Sequence, residues 1–125
     1  MTPEETFTKY LKAFETLEPS KFTPYYHSPF MLVTPIGVFT GINEEATDAI
    51  VSKVVAQAKE QGYSRSEMPN GFACEALAPD LASLTGNIRR FNQANEQIAE
   101  FGISYLMRKV GDEWKLVVMT IHAPK

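Results

Sequence analysis

Apolar residues recur at helical spacing twice in the first half of the chain and not at all beyond Gly62. Phe7, Tyr10, Leu11, Phe14 and Leu17 lie three or four residues apart, which places them on one face of a helix. Thr2-Pro3-Glu4-Glu5 marks its start: Thr2 can cap, proline suits the first helical position, and Glu5 completes a capping box. A short second helix is predicted over 18–22. It fades at Pro24, because proline lacks an amide donor and disfavours helix in the residue before it. A third helix opens at Asn43, where Glu44, Glu45 and Asp48 suit the positive end. It buries Ile50, Val51, Val54, Val55 and Ala58 and stops at Gly62.

From Pro29 the pattern becomes extended, with two short strands about a bend at 35–37. Four further extended segments are predicted over 63–77, 81–92, 97–110 and 113–122, with turns at Pro79-Asp80 and Gly111-Asp112. Helices come first and an antiparallel sheet follows, the α+β pattern. In the last segment Trp114, Leu116, Val118, Thr120 and His122 share one face by strict alternation, and Lys115, Val117, Met119 and Ile121 share the other. Both faces are largely apolar, and three helices can cover only one side of a sheet. A homodimer through the sheet is therefore expected.

At 125 residues, 44% hydrophobic and 22% charged, the chain has the size of one domain spanning 1–125. The formal charge of -3 and scattered Lys and Arg argue against nucleic acid as a partner. No apolar run approaches the roughly 20 residues of a membrane span. MTPEETF lacks the basic start of a signal peptide, so no membrane association and a cytoplasmic location are expected. A single cysteine, Cys74, excludes an internal disulfide, and two histidines far apart in sequence provide no metal-ligand spacing. No metal and no cofactor are expected.

The aromatic pair ahead of a proline-containing extended segment (YYHSPFMLVTPIGVF), and the turn GDEWKLVVMTIH leading a final strand to a histidine, resemble the nuclear transport factor 2-like superfamily. This superfamily is also called the SnoaL-like or cystatin-like α+β cone, and the chain is most similar to its small uncharacterised bacterial members. The resemblance implies a curved antiparallel sheet wrapped on three N-terminal helices to form a cone-shaped pocket, with Tyr25, Tyr26 and His27 on the short helix at its rim. The superfamily hosts isomerases, dehydratases and non-catalytic binding modules alike, so the fold does not choose among them.

The carboxylate chemistries of such cones require an inward acid. Asp48, Asp80 and Asp112 lie at a helix start or in turns, and Glu100 alternates away from Phe101, Ile103 and Tyr105. A histidine and tyrosine set remains. His122, His27 and Tyr26 are the candidate catalytic groups, since a neutral imidazole can take and return a proton while a phenol orients a carbonyl. Tyr25, Arg89, Tyr105 and Trp114 are the candidate ligand contacts. Arg89 and Arg90 point to opposite faces, and which of them enters the pocket stays open. So does the plainer reading of each histidine as a ring satisfied by backbone. Two functions stand side by side: binding of a small, mostly apolar molecule, and a cofactor-independent lyase or isomerase of dehydratase type.

Overall fold

Thr2 Oγ1 accepts from the Glu5 amide at 3.1 Å and Glu5 Oε1 accepts from the Thr2 amide at 3.0 Å. This reciprocal box opens helix α1 (Pro3–Phe14) in the computed structural model, which describes residues 1–124. Asn43 caps α2 (Glu44–Glu60) by accepting from the Ala46 amide at 2.8 Å, and Gly62 ends it with φ of +79°. The expected short helix is two single 3₁₀ turns, Pro19–Lys21 and Thr23–Tyr25. Pro19 and Pro24 remove amide donors there, and each turn closes on only two bonds, Lys21 to Glu18 and Phe22 to Pro19 in the first, Tyr25 to Phe22 and Tyr26 to Thr23 in the second. Two α-helices, not three, pack on the sheet. Tyr26 and His27 already belong to the first strand.

The strands are β1 (Tyr26–Thr34), β2 (Gly37–Gly41), β3 (Tyr63–Glu67), β4 (Phe72–Ala78), β5 (Leu81–Asn92), β6 (Gln97–Val110) and β7 (Glu113–His122). One sheet runs β2-β1-β7-β6-β5-β3, with β4 also on β5. The segment expected as one strand over 63–77 is broken at Pro69-Asn70-Gly71, where Gly71 takes φ of +67° and its amide bonds Met68 O at 2.9 Å. The sheet is mixed, because β1 lies parallel to β7. No hairpin joins these two strands; β2, α2 and β3 to β6 lie between them in the chain, and a parallel pair requires such a long crossover.

One irregularity decides which residues face inward. Met107 pairs with Leu116 and Leu106 with Val118, so Val117 is an extra residue on β7. Strict alternation fails there. Trp114, Leu116 and Met119 are buried, and Val118, Thr120 and His122 turn to the other face.

The concave face of the sheet closes on both helices. Phe7 of α1 meets Phe72 edge-on at 5.1 Å and Tyr105 at 5.8 Å between ring centroids. Val51, Val55 and Ala58 of α2 are buried against the same core, while Ile50 and Val54, also in the predicted stripe, are only half-buried. Phe7, Phe22, Leu84, Ile103, Met107 and Leu116 are fully enclosed, and burial of side chains this size contributes about 1.5–3 kcal/mol each.

Candidate functional site

Alternate residues of β5, Ala82, Leu84 and Ile88, are buried on the concave face, and the same parity carries Arg90 inward. The Arg90 guanidinium carbon lies 5.3 Å from the Phe14 ring centroid and 5.1 Å from those of Tyr63 and Phe101. Such contacts attract the charge to the ring faces and supply no hydrogen-bond acceptor for its donors. Arg90 Nε is buried and has no hydrogen-bond partner, and no Asp or Glu pairs with Arg90 among the described residues.

Around this cation stand hydroxyl groups from three elements. Tyr10 and Tyr26 hydroxyls share a hydrogen bond of 2.7 Å, and Tyr63 pairs with Ser66 Oγ at 2.6 Å. Burial pushes the phenols of Tyr10, Tyr26, Tyr63 and Tyr105 above the ordinary range, and the Arg90 charge opposes that rise in all four. They remain protonated at neutral pH. The enclosed space among Tyr10, Phe14, Tyr26, Arg90 and Tyr105 is only about 60 Å³, so side chains nearly fill the cone.

Leu32, Ile50, Val54, Arg90, Phe101 and Ile121 line both this small cavity and a larger open groove of about 600 Å³. The groove runs between α2 and the β1–β2 hairpin, and Pro35, Ile36, Phe39 and Ala99 complete its apolar wall. Lys53, Gln57, Gln61 and Thr34 supply its polar edge. Arg90 is thus the charge at the place where groove and cone meet.

The predicted site residues are divided among different surfaces. Tyr26 and Tyr105 point into the cone. Tyr25 and Trp114 instead line a separate surface pocket with Lys21 and Lys115, so neither contacts the cone cavity. Arg89 faces outward and pairs with Glu100 at 3.0 Å; the inward arginine is Arg90. His122 also lies outside, because the Val117 bulge reverses the alternation that would have put it with Trp114. Its ring lies over Gly102, where a Cβ would collide with it. Nδ1 bonds the Ala123 carbonyl at 2.7 Å and Nε2 meets Ser104 Oγ at 2.9 Å. His27 bonds the Pro29 carbonyl at 2.8 Å through Nδ1 and meets Arg108 Nη1 at 3.0 Å through Nε2. Arginine can only donate, so Nε2 is the acceptor in that contact. It borders a polar groove of about 510 Å³ with Glu44, Asp48 and Lys115.

The proposed catalytic set is therefore not assembled: two histidines face away from the cone and one tyrosine faces into it. Arg90, Tyr10 and Ser66 were not among the chosen residues. Arg90 shares the parity of Leu84 and Ile88, a signal the sequence does contain. Tyr10 lies in the helical stripe and reads as plain core, while nothing in the sequence singles out Ser66. Among the described residues no group of three His, Cys, Asp or Glu could hold a metal ion, and no helix is long and apolar enough to cross a membrane.

The model of the NTF2-like protein family DUF6841 matches residues 3–124. The chain belongs to this NTF2-like family. An NTF2-like protein of unknown function from Shewanella oneidensis MR-1 is similar in structure at a TM-score of 0.72 and 15% identity, covering 96% of this chain and 98% of that one. An NTF2-like protein of unknown function from Pseudomonas putida KT2440 reaches 0.70 at 16% identity, covering 96% and 82%. A cystatin-like-fold protein of unknown function from Nostoc punctiforme PCC 73102 reaches 0.67 at 12% identity, covering 94% and 84%. At these identities the likeness establishes the fold and assigns no specific activity. No curated protein matches the chain.

Proposed function

We propose that this NTF2-like protein binds a small, mostly apolar molecule at the mouth of its cone. The reading is carried by the apolar groove of about 600 Å³ that meets the interior at Arg90. It has the proportions of a ligand site: aliphatic and aromatic walls with few polar groups. Neither the groove nor the cavity is lined by a histidine, aspartate or glutamate, and burial keeps the cone's phenols protonated. Proton transfer there lacks an ordinary base, which favours binding over the lyase or isomerase alternative. Native mass spectrometry of freshly purified protein tests the reading. A co-purifying small-molecule mass, lost in a groove-filling Val54→Trp variant that keeps its circular dichroism, is the expected result. No retained mass, together with no thermal shift on adding either 1-octanol or octanoate, overturns it.

The same proposal includes a homodimer through the outer face of β6 and β7. Leu106 and Val118 are paired there on the side turned away from both helices. A charge on that face would be left unpaired on association. Val118→Glu is expected to sediment as a monomer at micromolar concentration where the parent is a dimer, and an unchanged assembly rejects this surface. Cytoplasmic residence belongs to the proposal too, supported by the free thiol of Cys74.

A further inference from the structure

Arg90 is an unusual residue to leave where it is. A buried arginine donor with no acceptor costs desolvation free energy, and native proteins pair such groups with a carboxylate, a carbonyl or water. The other arginines are at least partly exposed and still find side-chain partners: Arg89 pairs with Glu100, Arg65 with Glu67 and the Asn95 side chain, and Arg108 with His27. Arg90 has ring faces around it instead, and its Nε has no partner. Glu15 Oε2 accepts from the Ser66 amide at 3.0 Å, and no ion pair joins Glu15 to Arg90 among the described residues.

We infer that the groove selects an amphipathic monocarboxylate, whose carboxylate is received by Arg90 and whose hydrocarbon body lies along Leu32, Ile36, Phe39 and Val54. The inference rests on the binding role proposed above and adds the chemical class of the ligand. Three observations converge on it. The positive charge lies at the junction of groove and cone, so a head group held there leaves its body in the apolar channel. The three rings fix the guanidinium, which matters because its planar fork recognises a carboxylate by two parallel hydrogen bonds only if held in place. The groove carries a second cation, Lys53, and no acid, so its field favours an anion throughout. A neutral apolar ligand would leave the Arg90 donor unsatisfied and would use the groove without its charge.

The test compares octanoate with 1-octanol, equal in chain length and different in head group, by calorimetric titration of the full chain. Octanoate is expected to bind about tenfold or more tightly than 1-octanol, the ratio a charge-assisted hydrogen bond supplies. In Arg90→Gln that advantage should fall to within about threefold. Lys53→Gln should reduce it less than Arg90→Gln does. Equal affinity of the two probes for the parent protein overturns the carboxylate inference and leaves the groove standing. Binding of neither probe overturns the groove reading itself. A preference that survives Arg90→Gln but vanishes in Lys53→Gln also overturns the assignment, because the rim cation would then be the receptor. Should Arg90→Gln fail to fold, Arg90→Lys and the octanoate to octanol ratio on the parent still decide, since the latter needs no substitution.

Discussion

Arg89 and Arg90 are neighbours on one strand, and their surroundings contrast the two faces of the sheet. Outside, polar side chains are paired with each other: Arg89 with Glu100, His122 with Ser104, His27 with Arg108. Inside, Tyr10 is paired with Tyr26 and Tyr63 with Ser66, but Arg90 has an orphaned donor. A histidine has the wider chemical repertoire, yet both histidines are already satisfied on a surface without a pocket of apolar character. An unsatisfied donor where groove and cone meet, not the versatile ring, marks the site. Placing a charge among rings without an acceptor is costly unless something arrives to complete it.

The most damaging way to break the contrast is to substitute equivalent positions on β7 across the Val117 bulge. Leu116 is fully buried, so Leu116→Ala should cost about 2–5 kcal/mol by urea denaturation, as a cavity forms. Thr120→Ala, on the outer face, should stay within about 0.5 kcal/mol. Equal losses would mean that the bulge does not reverse the faces. A second, also large, effect is expected in alkali. The inner phenols have folded-state values above their unfolded ones, chiefly through burial. For acids of this kind the neutral form is the one the fold prefers. Their stabilising contribution is therefore complete below the unfolded phenol value of about 10 and declines as pH rises from there toward the folded value. Phenolate absorbance from Tyr10, Tyr26 and Tyr105 should develop together with loss of near-ultraviolet circular dichroism. Full ionisation with that signal intact would mean that the interior is open to water.

Much of the architecture was legible because it is written in local signals. The box at Thr2 and Glu5, the Asn43 cap and the turns at Pro79-Asp80 and Gly111-Asp112 gave the helix starts and the three long strands β5, β6 and β7 their observed limits. Pro69-Asn70-Gly71 was an equally local signal that splits β3 from β4. The parallel β1–β7 pairing and the bulge at Val117 were not legible, because both depend on which strand lies alongside, and that is settled by tertiary packing. The site inherited this difference. Arg90 could be placed inward from Leu84 and Ile88, six and two residues before it on the same strand. His122 lay beyond the bulge, and alternation counted from Trp114 sent it to the wrong face. A groove between α2 and the β1–β2 hairpin is likewise a property of how separate elements meet, and no single segment of the sequence displays it.

The smallest expected effects concern the stability of the two arginines, and they sharpen the contrast most. Arg89 and Glu100 are both partly exposed, so water and salt screen their attraction, and Arg89→Ala should cost no more than about 1 kcal/mol, less as ionic strength rises. Arg90→Met removes a charge from among three rings and also removes the buried Nε that lacks an acceptor. The lost cation–π attraction and the relieved desolvation oppose each other, so the net change should again stay within about 1 kcal/mol, of either sign. Two substitutions alike in stability should then differ completely in ligand response: Arg89→Ala keeps the preference for octanoate over 1-octanol and Arg90→Met loses it. Thermal denaturation of both variants with and without octanoate measures this in one experiment. A loss for Arg90→Met well beyond that of Arg89→Ala in the absence of ligand would show that the inner arginine is held for the fold, by its rings, and the distinction between a paired outside and a waiting inside would fail.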